Sequence, residues 1–258
     1  MELMDFLYRI MEELAKLNVP IVFKGAMVLN LITHANNPSA VERMTQDIDG
    51  DWIGEGPTME QIEAVLRQAV KNVNPLMDIT VNREYGEKRS AGFRIIDQHQ
   101  NKVASIDLSV RQNIYSVPYI SYINGVTITG ASLAKMISDK LYAVSGEHIY
   151  RRTKDLLDIY VMSFISQFQT VEIYDIWEQA GRTPGNFLHY RNHKKEIFQA
   201  YDRLKGIKNK PDFSELDKRL SIFLEPFFDK ENRQDLMWRA GEWENMDLAY
   251  IHNNRRRR

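Results

Sequence analysis

The sequence predicts an α+β protein in two parts: a sheet flanked by helices over residues 1–130, then a mainly helical domain over 131–258. Three observations predict it. Short apolar runs alternate with helical periodicity up to about residue 130, and beyond Ser132 the pattern is helical almost to the end. Breaks at Gly146, Gly181 to Gly185, Gly206 to Pro211 and Pro226 divide that second half. With 258 residues and 43% hydrophobic content, the chain is long enough for one large domain or two modest cores.

The elements follow in order. Leu3, Phe6, Leu7, Ile10, Leu14 and Leu17 recur at helical spacing, and Asn18 and Pro20 end that helix. Ile21-Val22-Phe23 reads as a strand, Lys24-Gly25-Ala26 as the turn into a helix from Met27 to Thr33, and His34 to Ser39 as a polar loop. Thr58 and Gln61 form a capping box that starts a helix running to about Asn72. Strands are expected at Leu76 to Val81, Phe93 to Ile96 and Val103 to Val110. The last alternates cleanly, Ala104, Ile106 and Leu108 inward and Ser105, Asp107 and Ser109 outward.

Composition narrows the chemistry. Lys plus Arg number 34 against 35 Asp plus Glu, so any anion site must be local. The absence of cysteine excludes disulfides, thiolate zinc sites and cysteine nucleophiles, and fits a cytoplasmic address. The amino terminus carries acids where a signal peptide needs a basic start, and no segment approaches a membrane span. The six histidines show no metal-protease spacing. Arg255 to Arg258 read as a solvated tail, and Trp238 and Trp243 as core residues within helix packing.

The stretch Asp47-Ile48-Asp49-Gly50-Asp51-Trp52 concentrates the chemistry. As a strand it sets Asp47, Asp49 and Asp51 on one face and Ile48 and Trp52 on the buried one. Such carboxylates repel one another unless solvated or bound to a cation. A calcium loop fails, because Thr45 stands where the first aspartate belongs and Gly56 where the bidentate glutamate belongs. A catalytic magnesium site needs only Asp47 and Asp49 plus a third acid, which Asp107 would supply from an antiparallel neighbour; a solvated acidic turn is the plain alternative. Lys140 falls near the centre of the stripe Leu133, Met136, Ile137, Leu141, Val144, so it either snorkels or meets a carboxylate or a phosphate. Arg151, Asp155 and Asp158 share a face of the next helix, with Arg151–Asp155 as the ordinary surface pairing.

Taken in order, K-G-A-M-V-L, R-M-T-Q-D-I-D, S-I-D-L, L-A-K-M-I-S-D-K-L-Y-A-V and R-R-T-K-D-L-L-D-I-Y resemble the AbiEii/AbiGii nucleotidyltransferase toxin family. The resemblance runs from about Phe23 to Tyr160. It implies a nucleotidyltransferase-type mixed sheet followed by a helical domain contributing to the active-site cleft, in a bacterial toxin–antitoxin or phage-defence protein. It also implies Mg²⁺ (with Mn²⁺ as alternative), an NTP substrate, a tRNA 3′ end or protein hydroxyl as acceptor, and an antitoxin partner. By the same resemblance Asp47 and Asp49 are the metal pair, Asp107 a looser third ligand, Gly25 the phosphate turn, Lys140 the phosphate lysine, and Asp155 or Asp158 the late acidic motif. Asp51 has no counterpart. The family's usual Gly-Ser or Gly-Gly is here Gly25-Ala26; the Ala26 N–H survives and Lys24 stands beside it to offset the lost hydroxyl. The competing expectations are a non-catalytic binding protein of the same fold and a nucleotidyltransferase of antibiotics.

Overall fold

The computed structural model describes residues 2–36, 41–84, 90–110, 115–165, 167–229, 233–239 and 241–246. The expected solvated tail at Arg255 to Arg258 lies outside them. The chain divides into two compact units, Met1–Ala35 with Arg43–Ser132, and Asn36–Glu42 with Leu133–Arg258.

In the first unit, α1 (Leu3–Lys16), β1 (Ile21–Lys24) and α2 (Gly25–Asn36) lead, after the short β2 (Glu42–Arg43), to β3 (Asp47–Trp52) and α3 (Met59–Val73). Then come β4 (Asp78–Arg83), β5 (Ser90–Ile96), β6 (Lys102–Val110), β7 (Ser116–Ile120) and β8 (Thr127–Ala131). The capping box holds: Thr58 Oγ1 accepts from the Gln61 N–H at 3.2 Å, and Gln61 Oε1 from the Thr58 N–H at 2.9 Å. The second helix begins earlier and ends later than its apolar core suggested, since His34 to Asn36 continue the spiral.

Seven strands form one mixed sheet in the order β4-β5-β6-β3-β1-β8-β7. Its inward residues Ile48, Phe93, Ile95, Ala104, Ile106 and Leu108 are buried, as are Phe6, Leu7, Ile10, Met11 and Leu14 of α1 and Ile62, Leu66, Ala69 and Val70 of α3. The expected antiparallel neighbour of β3 is corrected by the topology: β6 runs parallel to it. Helix α3 carries the chain back, and the β4-β5-β6 meander reverses twice, so β6 re-enters in the direction of β3. Strands β7 and β8 carried no clear sequence signal. Pro118 is tolerated because β7 is an edge strand, and Gly130 of β8 is needed where the Tyr119 ring passes: a Cβ there would lie 2.7 Å from that ring.

The second unit contains α4 (Leu133–Val144), a 3₁₀ turn (Ile149–Arg152), α5 (Thr153–Ile165), β9 (Phe168–Gln169), α6 (Thr170–Gln179), α7 (Leu188–Asn192) and α8 (Lys194–Asp202). It continues with β10 (Ile207–Lys208), α9 (Phe213–Phe223), a 3₁₀ turn (Glu225–Phe227), β11 (Leu236–Arg239) and β12 (Glu242–Asn245). The segment Asn36–Glu42 joins this unit, where Glu42 pairs with Lys208 at 3.0 Å. Trp238 is a core residue and Trp243 is half-buried beside it, but on strands β11 and β12 and not on helices. Their rings meet at 5.2 Å, Phe223 lies 4.8 Å from Trp238, and each indole N–H donates to a carbonyl, Trp238 to Ser163 and Trp243 to Phe223. Aromatic rings interlocked on a three-stranded ribbon bury area that helical periodicity does not register. Among the described residues no helix is long and apolar enough to cross a membrane.

Candidate active site

The turn between β1 and α2 is built around Gly25. Its φ of +73° is left-handed, and a Cβ there would lie 2.6 Å from Asp49 Oδ2, so both backbone and neighbour demand glycine. Helix α2 therefore starts against an aspartate, with no acidic residue of its own in the first turn. Its first N–H groups lack intrahelical acceptors, which makes this end electropositive.

Strand register then sets the acids. Across the sheet, Lys24 of β1 stands opposite Asp49 of β3, Asp49 opposite Asp107 of β6, Asp107 opposite Gly92 of β5, and Gly92 opposite Arg83 of β4. Asp47 stands two residues along the same face, opposite Ser105. Neighbouring strands are about 4.8 Å apart, so Asp49 and Asp107 are close like charges. Asp47 accepts a hydrogen bond from Ser105 Oγ, and Asp107 is paired with Arg83 at 2.7 Å.

Asp51 departs from the expected alignment of three solvent-facing carboxylates. It is buried and forms an ion pair with Lys24. Lys24, expected beside the phosphates, thus neutralises a carboxylate inside the sheet, as burial of an ionised group requires. The missed residues are Arg83, Gly92 and Ser105. Their partners are distant in sequence, so only strand register could reveal them.

In the second unit Lys140 is held by two carboxylates, Asp155 at 2.6 Å and Asp158 at 2.9 Å, the latter only 1% exposed. Burial depresses the Lys140 ammonium, but the charges of Asp158 and Asp155 outweigh it and hold its pKa above the ordinary lysine value. The expected Arg151–Asp155 pairing is corrected: Arg152 approaches Asp155, at 3.7 Å. Arg151 and Arg152 both lie in the 3₁₀ turn before α5, where the 100° spacing that aligned Arg151 with Asp155 does not apply, and Arg152 is the one brought within reach.

Among the described residues no group of three His, Asp or Glu side chains is gathered to hold a metal. The donor chemistry of the row nonetheless fits one: two or three carboxylates on a single open face suit a hard cation that takes few protein ligands and completes its shell with phosphate oxygens and water.

The seven-stranded mixed sheet flanked by helices fits a nucleotidyltransferase-type fold. The chain belongs to the family described as "Nucleotidyl transferase AbiEii toxin, Type IV TA system", whose profile matches residues 5–249. It is a nucleotidyltransferase of a toxin family, and membership implies an NTP substrate and an antitoxin partner. Among solved structures it is similar to JHP933 from Helicobacter pylori, with TM-score 0.55 and 14% identity over 98% of this chain and 95% of that one. It is also similar to MenT4, a nucleotidyltransferase toxin from Mycobacterium tuberculosis H37Rv, with TM-score 0.45 and 16% identity over 68% and 62%. An antigenic nucleotidyltransferase-like protein from Paracoccidioides brasiliensis gives 0.43 and 14% over 75% and 91%. Comparison with curated protein sequences finds no match.

Proposed function

We propose that the protein is a Mg²⁺-dependent transferase that moves NMP from an NTP to an acceptor hydroxyl, acting in the cytoplasm as the toxin of a toxin–antitoxin or phage-defence pair. The observation that carries the reading is the register pairing of Asp49 with Asp107 beside the Gly25 turn. Asp47 and Asp49 would hold the metal, with Asp107 as third ligand. Bound Mg²⁺ would offset phosphate charge and make the acceptor hydroxyl more acidic.

The chain's own residues then divide the work. The N–H groups of Gly25 and Ala26, at the positive end of α2, orient phosphate oxygens. Asp107 takes the proton of the acceptor hydroxyl as its oxygen bonds to the α-phosphorus and pyrophosphate leaves. Lys140, given by the family resemblance as the phosphate lysine, is kept protonated by Asp155 and Asp158, which also limit its motion. Lys24 is assigned to Asp51 and the sheet.

For the acceptor we favour a tRNA 3′ end over a protein hydroxyl. Incubation with each α-³²P-labelled NTP, Mg²⁺, and either bacterial tRNA or lysate protein tests both. Label on RNA that vanishes in Asp47→Asn supports the reading. Label on protein replaces the acceptor, and no label on either, from folded protein, contradicts the reading.

A further inference from the structure

We propose that Arg83 is a positioning residue whose guanidinium competes with a divalent cation for Asp107 and so sets how tightly the acidic row binds metal. The inference rests on the reading of Asp47, Asp49 and Asp107 as metal ligands given above.

The register of β4 shifts between Val81 and Arg83, an irregularity that brings Arg83 opposite Gly92 and into the row of Asp107. Gly92 places no side chain between them: a Cβ there would lie 3.1 Å from Asp107 Oδ1 and 3.4 Å from Arg83 Cβ. Arg83 therefore reaches across β5 to bind Asp107 Oδ1 at 2.7 Å. The side chains of Arg83 and Asp107 are 48% and 41% exposed, so the pair is screened by water and opens readily. The arrangement suits a latch and not a structural clamp.

Charge gives the direction. With Arg83 in place, a cation approaching Asp107 must displace a guanidinium and meet its positive charge. Without it, the Asp107 carboxylate loses its guanidinium partner, and a divalent cation reaches that carboxylate with no cation to displace. Removing Arg83 therefore tightens metal binding, opposite to what loss of a substrate-binding arginine or of a structural residue would do.

The test is Mn²⁺ binding to the full chain at neutral pH without nucleotide, read from the free-ion electron paramagnetic resonance signal. Arg83→Ala and Arg83→Gln are expected to bind Mn²⁺ about two- to fivefold more tightly, the range set by a half-exposed ion pair, and Arg83→Lys to restore wild-type affinity. Asp107→Asn should weaken binding and cancel the gain when combined with Arg83→Ala. Unchanged or weaker binding in both Arg83→Ala and Arg83→Gln, with Asp107→Asn still weakening it, would overturn the role of Arg83 and leave the metal reading standing. Binding indifferent to Asp107→Asn and Asp49→Asn alike would remove the metal reading itself, and this inference with it.

Discussion

Gly25 and Lys140 show how far single residues can be separated into those that shape the site and those that support it. A methyl at position 25 meets Asp49 Oδ2 at 2.6 Å and forces a left-handed backbone on an L side chain. Gly25→Ala should destabilise the protein by about 1–2 kcal/mol and lower transfer at least about tenfold by displacing Asp49, measured by denaturant melts and label transfer. Because Asp158 is buried against Lys140, Lys140→Met removes the ammonium from a buried ion pair and should cost about 3 kcal/mol. Adding Asp158→Asn should recover a large part of that loss in a double-mutant cycle, while transfer stays abolished. A melt that Lys140→Met leaves unchanged would show that the pairing does not stabilise the fold. The apolar stripe of α4 announced that Lys140 needed a partner, because a lysine at its centre cannot stay bare. It did not say which, since the partners lie on α5, fifteen and eighteen residues on.

At the scale of elements, the junction of α3 with β4 carries a measurable acid dependence. Arg67 donates to Asp78 at 2.8 Å, and Lys71 stands at 3.1 Å. The hydrogen bond from Arg67 is the largest influence and holds the Asp78 carboxyl down to about 2. Since that lies below the unfolded value of about 3.9, its contribution is present above about pH 4 and is lost as pH falls through about 2. Asp78→Asn should cost under about 1 kcal/mol at neutral pH, because the side chain is 42% exposed. The difference from wild type should shrink as pH falls from 4 to 2 in urea melts; a difference constant with pH would refute the assignment. Elements of this kind were legible where one signal dominated, as in the capping box of α3 and the alternation of β6. Strands β7 and β8 were not, because Pro118 and Gly130 interrupt the β pattern for reasons that lie in neighbouring chain: an open edge and the Tyr119 ring. The direction of β6 is hidden for the same reason, since strand polarity depends on a crossover that no local window contains.

For the whole molecule, near balance between 34 basic and 35 acidic residues means that a tRNA acceptor would be held by local contacts and not by a general field. The expected outcome is a shallow salt dependence of tRNA binding, with a log–log slope of magnitude about 3 or less, and a slope near 10 would demand an extended basic surface. The alternating Asp47, Asp49 and Asp51 made an acidic face visible from the sequence. Only the fold divides it, sending Asp51 to Lys24 and leaving Asp47 and Asp49 on the row with Asp107. That division is the centre of the account, and one comparison tests it most directly: NMP transfer by Asp49→Asn against Asp51→Asn, each with its melting temperature. Asp49→Asn is expected to lose at least about 100-fold in rate while remaining folded. Asp51→Asn is expected to melt lower and keep most of its transfer. Full transfer by Asp49→Asn, or its loss only in a well-folded Asp51→Asn, would contradict it.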